Sequence, residues 1–181
     1  MDPIIDLAGV IRESIVDGPG LRFVVFTQGC PHRCPGCQNP QTHAFGQGTP
    51  TPVSKIMKEI KKNPLLSGVT LSGGEPFCQA EALAELAAQV KALGKNIMIY
   101  SGYTLEQLME KQKQEPGVLH LLEQTDWLVD GPFILEKKSL ELKFRGSSNQ
   151  RIIDIPHFLQ TKEIREVDLV PQYSPEFQHP L

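Results

Sequence analysis

Cys30-Pro31-His32-Arg33-Cys34-Pro35-Gly36-Cys37 places three thiols in one short loop, directly after the apolar run Leu21-Arg22-Phe23-Val24-Val25-Phe26. That run has the length and content of a strand covered on both faces, so the cysteines sit at its carboxyl end. Three thiols without a fourth at similar spacing admit two readings. A structural zinc site fills four protein positions and closes. Here Cys78, His32 or His43 would have to complete it, and Cys-x3-Cys-x2-Cys is a poor match to the paired close ligands of zinc knuckles. A 4Fe–4S cluster wants four thiolates, so a trio leaves one iron open to chemistry.

Downstream of this loop, strands and helices alternate. Val69-Thr70-Leu71-Ser72 reads as a second strand running into Gly73-Gly74-Glu75-Pro76, and Ile97-Met98-Ile99-Tyr100 as a third ending in Ser101-Gly102. Trp127-Leu128-Val129-Asp130 is a fourth, followed by Gly131-Pro132, and Arg151-Ile152-Ile153-Asp154-Ile155 a fifth. Between them, Thr51-Pro52 has the form of a cap and first helical residue, with Ile56, Met57 and Ile60 on one face and Asn63-Pro64 as the stop. From Gln79 to Leu93 the residues Leu83, Leu86, Ala87, Val90 and Leu93 make one stripe, and Gly94 ends it. Thr104 with Gln107 forms a capping-box pattern. Pro116-Gly117 separates that helix from a shorter one ending near Gln124.

Alternation of this kind predicts an α/β fold with right-handed crossovers. The expectation is an open parallel sheet or a partial (β/α) barrel, with the cluster loop after the first strand. The strands are too few for a closed eight-stranded barrel. Residues 1–13 show no clear pattern, and Pro171, Pro175 and Pro180 predict an irregular tail. The domain is therefore drawn over residues 1–155, with 156–181 as an irregular C-terminal extension of it. In either fold ligands bind beyond the carboxyl ends of the strands. The cysteine loop, Gly73-Gly74-Glu75, Ser101-Gly102 and Asp130-Gly131 all fall there, so they are expected to converge on one mouth.

The composition narrows the setting. With 181 residues, 40% hydrophobic and 22% charged, the chain is long and apolar enough for one globular core. With a net charge of −3 nothing marks a broad basic face, a short basic groove staying open, and no direct nucleic-acid contact is expected. Asp2, Asp6, Arg12 and Glu13 interrupt the N-terminus as no signal peptide does, and no apolar run approaches membrane-spanning length. A cytoplasmic protein without membrane contact is expected. There, four cysteines read as metal-binding or catalytic rather than disulfide-forming, and they are too few for a second cluster.

The trio after one strand, with Gly-Gly-Glu-Pro after the next, resembles the radical S-adenosylmethionine superfamily. The segment Ser14-Ile15-Val16-Asp17-Gly18-Pro19-Gly20-Leu21-Arg22 is similar to its glycyl-radical-enzyme activating branch. Ser101-Gly102-Tyr103-Thr104-Leu105, Leu128-Val129-Asp130-Gly131-Pro132-Phe133 and the run from Phe144 to Arg151 most resemble the activating proteins of anaerobic (class III) ribonucleoside-triphosphate reductases.

The resemblance implies that Cys30, Cys34 and Cys37 hold three irons and that the fourth is chelated by S-adenosylmethionine. Reductive cleavage of the sulfonium would then yield a 5′-deoxyadenosyl radical that takes hydrogen from a glycine Cα on the reductase large subunit. Glycine suits that step because no Cβ blocks approach. Reduced flavodoxin or ferredoxin would supply the electron, and the hard chemistry belongs to the cofactors. Cofactor contacts are implied for Gly36, Cys37, Gln38, Gly73, Gly74, Glu75, Ser101 and Asp130, and partner contacts for Asp17, Arg22 and Arg145. Gly36 and Gln38 stand where relatives often carry aromatic residues or histidine, which leaves backbone contacts intact and removes side chains that would stack on the base. Cys78 is expected to be a small buried thiol outside the ligand set, and His32 and His43 to face solvent. The rival within the branch is an activator of the pyruvate formate-lyase type.

Overall fold

The computed structural model describes residues 1–169. Its strands are β1 (Ile4–Ser14), β2 (Arg22–Thr27), β3 (Thr49–Pro52), β4 (Gly68–Gly73), β5 (Asn96–Tyr100), β6 (Trp127–Asp130) and β7 (Arg151–Asp154). They form one sheet in the order β3-β1-β2-β4-β5-β6-β7. β2, β4, β5 and β6 run parallel, while β1, β3 and β7 pair antiparallel at the two sides. The sheet is open, because β3 and β7 are its two ends rather than neighbours. The helices are α1 (Val53–Lys61), α2 (Ala80–Ala92), α3 (Leu105–Lys111), α4 (Pro116–Glu123) and α5 (Ile155–Thr161).

Side chains alternate across a strand, and the two faces of this sheet are used differently. Phe23, Val25, Val69, Leu71, Ile97, Ile99, Leu128 and Ile153 pack in one core with Leu83, Leu86, Ala87 and Val90 of α2 and Leu121 and Leu122 of α4. Met98, Val129 and Ile152 form a smaller cluster of their own, flanked by Tyr100, Trp127, Phe144 and Val167. The turn Ile15–Gly20 reaches this second cluster. Thr70 Oγ1 donates to the Asp17 carbonyl at 2.6 Å, and a Cβ on Gly18 would lie 2.8 Å from Met98 Sδ.

Several expectations are corrected here. The patternless N-terminus is β1, an eleven-residue strand of mixed exposure that pairs with β2, so the cysteine loop follows the second strand of the chain. Thr51-Pro52 does not cap a helix. Both residues belong to β3, opposite Ile5 and Ile4, and α1 begins at Val53 with no side-chain cap. Prolines at 50 and 52 are tolerated because β3 is an edge strand. β7 is antiparallel because the connection before it contains one short 3-10 turn, Leu135–Lys137, and no crossover α-helix. Beyond residue 155 the chain is not irregular at once. Asp154 accepts from His157 N at 3.0 Å and caps α5, with Pro156 in the first turn where a missing N–H costs nothing. The chain then returns along β7, with Val167 N donating to Ile152 O at 2.9 Å. Pro171, Pro175 and Pro180 lie outside the described residues. The capping box of α3 is present, with Gln107 N 3.2 Å from Thr104 Oγ1 and Thr104 N 2.9 Å from Gln107 Oε1. No helix among the described residues is long and apolar enough to cross a membrane.

Candidate active site

The loops at the carboxyl ends of β2, β4, β5 and β6 surround a cavity of about 120 Å³. Cys30, Cys34 and Cys37 line it together with Ser72, Gly73 and Gly74, Tyr100 to Gly102, and Gly131 and Phe133. The expected convergence on one mouth is therefore present.

The cysteine loop is anchored before it turns. Gly29 N donates to Thr42 O at 2.7 Å and Cys30 N to His43 O at 3.1 Å. Gln28 is buried, and its Nε2 donates to Gln41 O and Ala44 O at 3.2 and 2.7 Å. Arg33 and Gly36 take left-handed φ values of 49° and 74° inside the loop. Burial pushes the Cys30 thiol up from its ordinary range, and backbone N–H groups of His32 and Arg33 aimed at the sulfur oppose this.

The glycine turn after β4 is packed against that anchor. Gly74 N donates to Thr27 O and Glu75 N to Gly29 O, both at 2.8 Å. A Cβ on Gly74 would fall 2.3 Å from Gly29 O, and one on Gly73, whose φ is +98°, 2.5 Å from Thr27 N. The missing side chains make room for protein backbone as well as for a ligand. Glu75 follows with no exposed surface. Its Oε1 accepts from Ser101 Oγ and meets His32 Nε2 at 3.1 Å, whereas Oε2 is buried without a partner among the described residues.

Among the described residues no three His, Cys, Asp or Glu side chains are grouped as the ligands of one metal ion. Four irons and their sulfides space their thiolates more widely than one ion does. Three free cysteines around one cavity, with a buried orphan nitrogen on the lining His43, fit a cluster that keeps one iron for a second ligand.

A family model described as a 4Fe-4S single cluster domain matches residues 16–153. The anaerobic ribonucleoside-triphosphate reductase-activating protein of Vibrio cholerae is 38% identical over 147 residues, covering 77% of this chain and 91% of that protein. The chain belongs to this family, the radical S-adenosylmethionine activating proteins. The pyruvate formate-lyase-activating enzyme of Listeria monocytogenes is 39% identical over 158 residues, 82% of this chain but 60% of that enzyme. The crystal structure of QueE from Escherichia coli is similar over 57% of this chain and 54% of its own, with a TM-score of 0.43 and 18% identity.

Within this radical S-adenosylmethionine family member, the expected site residues divide sharply. Cys30, Cys34, Cys37, Gly73, Gly74 and Ser101 line the cavity. Gly36 sits in the same loop, and a Cβ there would meet Leu135 at 2.8 Å, so the loop after β6 fills the space that an aromatic side chain would take. Gln38 is exposed and Glu75 stands behind the wall made by His32 and Ser101. Asp17 is half-buried, accepts from Ser14 Oγ at 2.5 Å, and neighbours Tyr100, whose hydroxyl is pushed far above its ordinary range by burial first and the Asp17 charge second.

The structure places the remaining expected residues differently. Asp130 is buried behind the mouth, and both of its oxygens are held by protein donors, Arg151 Nε at 3.0 Å, Arg151 Nη2 at 2.5 Å and Leu105 N at 2.8 Å. Arg22 has no exposed surface and cannot meet a partner. Its Nε donates to Thr70 Oγ1, Nη1 to Pro19 O and Asn96 Oδ1, and Nη2 to Val69 O. Arg145 faces a separate surface groove with Ile152 and Val167 and donates to Gln150 O at 3.1 Å. Cys78 is exposed rather than buried, although protein packed beside its sulfur and the Glu75 charge push the thiol up to about 11. His32 and His43 line the cavity instead of facing solvent.

Two further lining residues come from stretches that carry the family likeness but were given no site role by the sequence. Phe133 supplies an aromatic wall from beyond β6. Gln150 accepts Gly146 N at 2.8 Å and donates to Gly131 O at 3.0 Å, folding the Phe144–Arg151 segment against the mouth. Only the family likeness of that segment pointed towards it.

Proposed function

We infer that this protein activates an anaerobic ribonucleoside-triphosphate reductase by generating a glycyl radical on its large subunit. One 4Fe–4S cluster held by Cys30, Cys34 and Cys37 and one S-adenosylmethionine serve this activity. When bound, the two groups supply one-electron cleavage of the sulfonium and removal of hydrogen from a glycine Cα. The observation that carries the reading is the meeting of three thiols with the glycine turn at the mouth of a parallel sheet.

The chain's own residues supply orientation and exclusion of water. The N–H groups of His32 and Arg33 aimed at Cys30 sulfur, and Asn39 N donating to Cys37 Sγ at 3.4 Å, favour the anionic ligand forms. The Gly73-Gly74 turn brings main chain to the ligand without side chains in the way. Phe133, half-buried on the cavity wall, and Leu135 beside Gly36 give the pocket an apolar side that keeps solvent from a reactive species. The Ile15–Gly20 turn, with Ile15 and Val16 exposed and Asp17 beside Tyr100, is the natural place for the partner's glycine loop. Reduced flavodoxin or ferredoxin is the electron source in this reading, and no nucleic acid takes part directly.

The deciding experiment is anaerobic reduction with dithionite in the presence of S-adenosylmethionine. 5′-Deoxyadenosine should form, and a glycyl radical should appear by electron paramagnetic resonance only when the reductase large subunit is added. A colourless protein carrying one zinc overturns the reading. The second reading, activation of pyruvate formate-lyase, is favoured by the 39% identity to the Listeria enzyme, and a radical on that lyase and not on the reductase would establish it.

A further inference from the structure

His32 lies between the first two cysteines of the loop, yet its side chain is only 16% exposed. Its Nε2 is 3.1 Å from Glu75 Oε1. Its ring stands edge-on to Tyr103, with centroids 4.5 Å apart. The same Glu75 oxygen accepts from Ser101 Oγ, which in turn accepts from Tyr103 N at 3.0 Å. A short circuit of contacts thus joins the cysteine loop, the glycine turn after β4 and the start of the β5–α3 connection. Gly102 is part of its design, because a Cβ there would lie 2.4 Å from the His32 ring.

We propose that His32 is a positioning residue for the cluster site: its Nε2–H, bound to Glu75, ties the cysteine loop to the sheet and holds the three thiols facing the cavity. The inference rests on the cluster reading given above. Three physical points carry it. A carboxylate oxygen accepts and an imidazole nitrogen can donate, so the 3.1 Å contact lets one hydrogen bond span the cysteine loop and the glycine turn. Arg33 and Gly36 hold left-handed backbone within the loop, and at Arg33 that conformation is unfavourable for a residue with a side chain, so a loop of this shape needs an outside tether. Gly29 and Cys30 make the backbone contacts that anchor the start of the loop, and Cys37 N closes a turn onto Cys34 O within it, whereas His32 carries a side-chain contact from the middle of the loop to the glycine turn.

The test compares His32→Leu, which keeps bulk without a donor, with His32→Gln, whose amide can donate to Glu75. The full chain, carrying Cys78→Ser to silence the exposed thiol, is reconstituted anaerobically and challenged with a chelator. His32→Leu should lose its cluster absorbance ~10–100-fold faster, the range seen when outer partners of metal ligands are removed, and His32→Gln should stay near the parent. In the cluster-free chain, a thiol reagent should modify Cys30, Cys34 and Cys37 faster in His32→Leu than in His32→Gln. Gly102→Ala reaches the same hydrogen bond without altering the cysteine loop, should reproduce the His32→Leu defect, and decides the matter if His32→Leu fails to fold. Parent-like cluster retention in His32→Leu, or an equal defect in His32→Gln, overturns the inference and leaves the cluster reading standing. A parent chain that takes up no iron and sulfide overturns both.

Discussion

Replacing Arg22 by Leu should cost folding stability and leave partner affinity unchanged. The guanidinium lies wholly inside the protein and donates at 2.7 Å to Thr70 Oγ1, 2.6 Å to Asn96 Oδ1, and 3.0 Å to both Val69 O and Pro19 O. Four hydrogen bonds from a charged donor contribute roughly 6–8 kcal/mol together, at about 1.5–2 kcal/mol each. Burial works the other way, and holds the Arg22 pKa down at about 10. Against an ordinary value of 12.5, that depression corresponds to about 3 kcal/mol spent on keeping the charge in place. Leucine removes both the bonds and the penalty, so the net loss is roughly 3–5 kcal/mol, while the Ile15–Gly20 turn keeps the hydrogen bonds of Asp17 to Thr70 and Ser14. For a chain of this size each kcal/mol lowers the melting temperature by about 2–4 °C, which places the expected drop near ~10 °C. Thermal unfolding of the cluster-free chain by circular dichroism measures the drop, and titration with the reductase large subunit at low temperature measures affinity. A variant as stable as the parent that binds the reductase poorly would show that Arg22 meets the partner, and the argument from burial would fail.

Alanine at Cys30, Cys34 or Cys37 should abolish iron binding and 5′-deoxyadenosine formation, whereas Cys78→Ala should keep both; iron and sulfide assays decide. At pH 8 the Cys78 thiol, pushed up to about 11, should react with iodoacetamide far more slowly than free cysteine, as mass spectrometry of the alkylated chain will show. Gly74→Ala drives a Cβ to 2.3 Å from Gly29 O and 3.0 Å from Thr42 O, backbone atoms that cannot swing away. It should displace the base of the cysteine loop and prevent cluster assembly even if the chain folds, which absorbance after reconstitution reports. Asp130→Ala leaves Leu105 N without its buried acceptor and Arg151 with Glu106 alone, and should cost about 1–3 kcal/mol in urea unfolding. The Arg151 hydrogen bond holds the outer carboxyl of this group, Glu106, below its usual range. A depressed folded pKa gives a contribution that is complete above the unfolded pKa and lost as pH falls through the folded one. Glu106→Gln should therefore lower stability near neutrality and make no difference in acid, with urea melts at the two pH values as the check.

Much of the site was legible because its signals are local. The cysteine spacing, the Gly73-Gly74 pair and the strand preceding each lie within a few residues of one another, and strand–helix alternation then forces the strand ends to one side. The capping box of α3 is likewise written in adjacent residues, and both of its bonds are present. β1 escaped notice because its residues are of mixed exposure, so no clean alternation marks them; the strand exists because β2 and β3 pair with it. Thr51-Pro52 resembles a helix start until an edge offers it partners.

What the amino-acid order displayed by itself was the candidate chemistry: three thiols in one short loop, one fewer than a closed all-cysteine site takes, and a glycine pair after the next strand. What only the tertiary structure decided was the assignment of charged and polar side chains. Asp130 and Arg151 are twenty-one residues apart, Arg22 and Asn96 seventy-four, and His32 and Glu75 forty-three. A titratable side chain looks the same in sequence whether it faces a ligand or a buried counterpart. Its partner is brought by the packing of distant strands, and that partner alone sets which of the two it is.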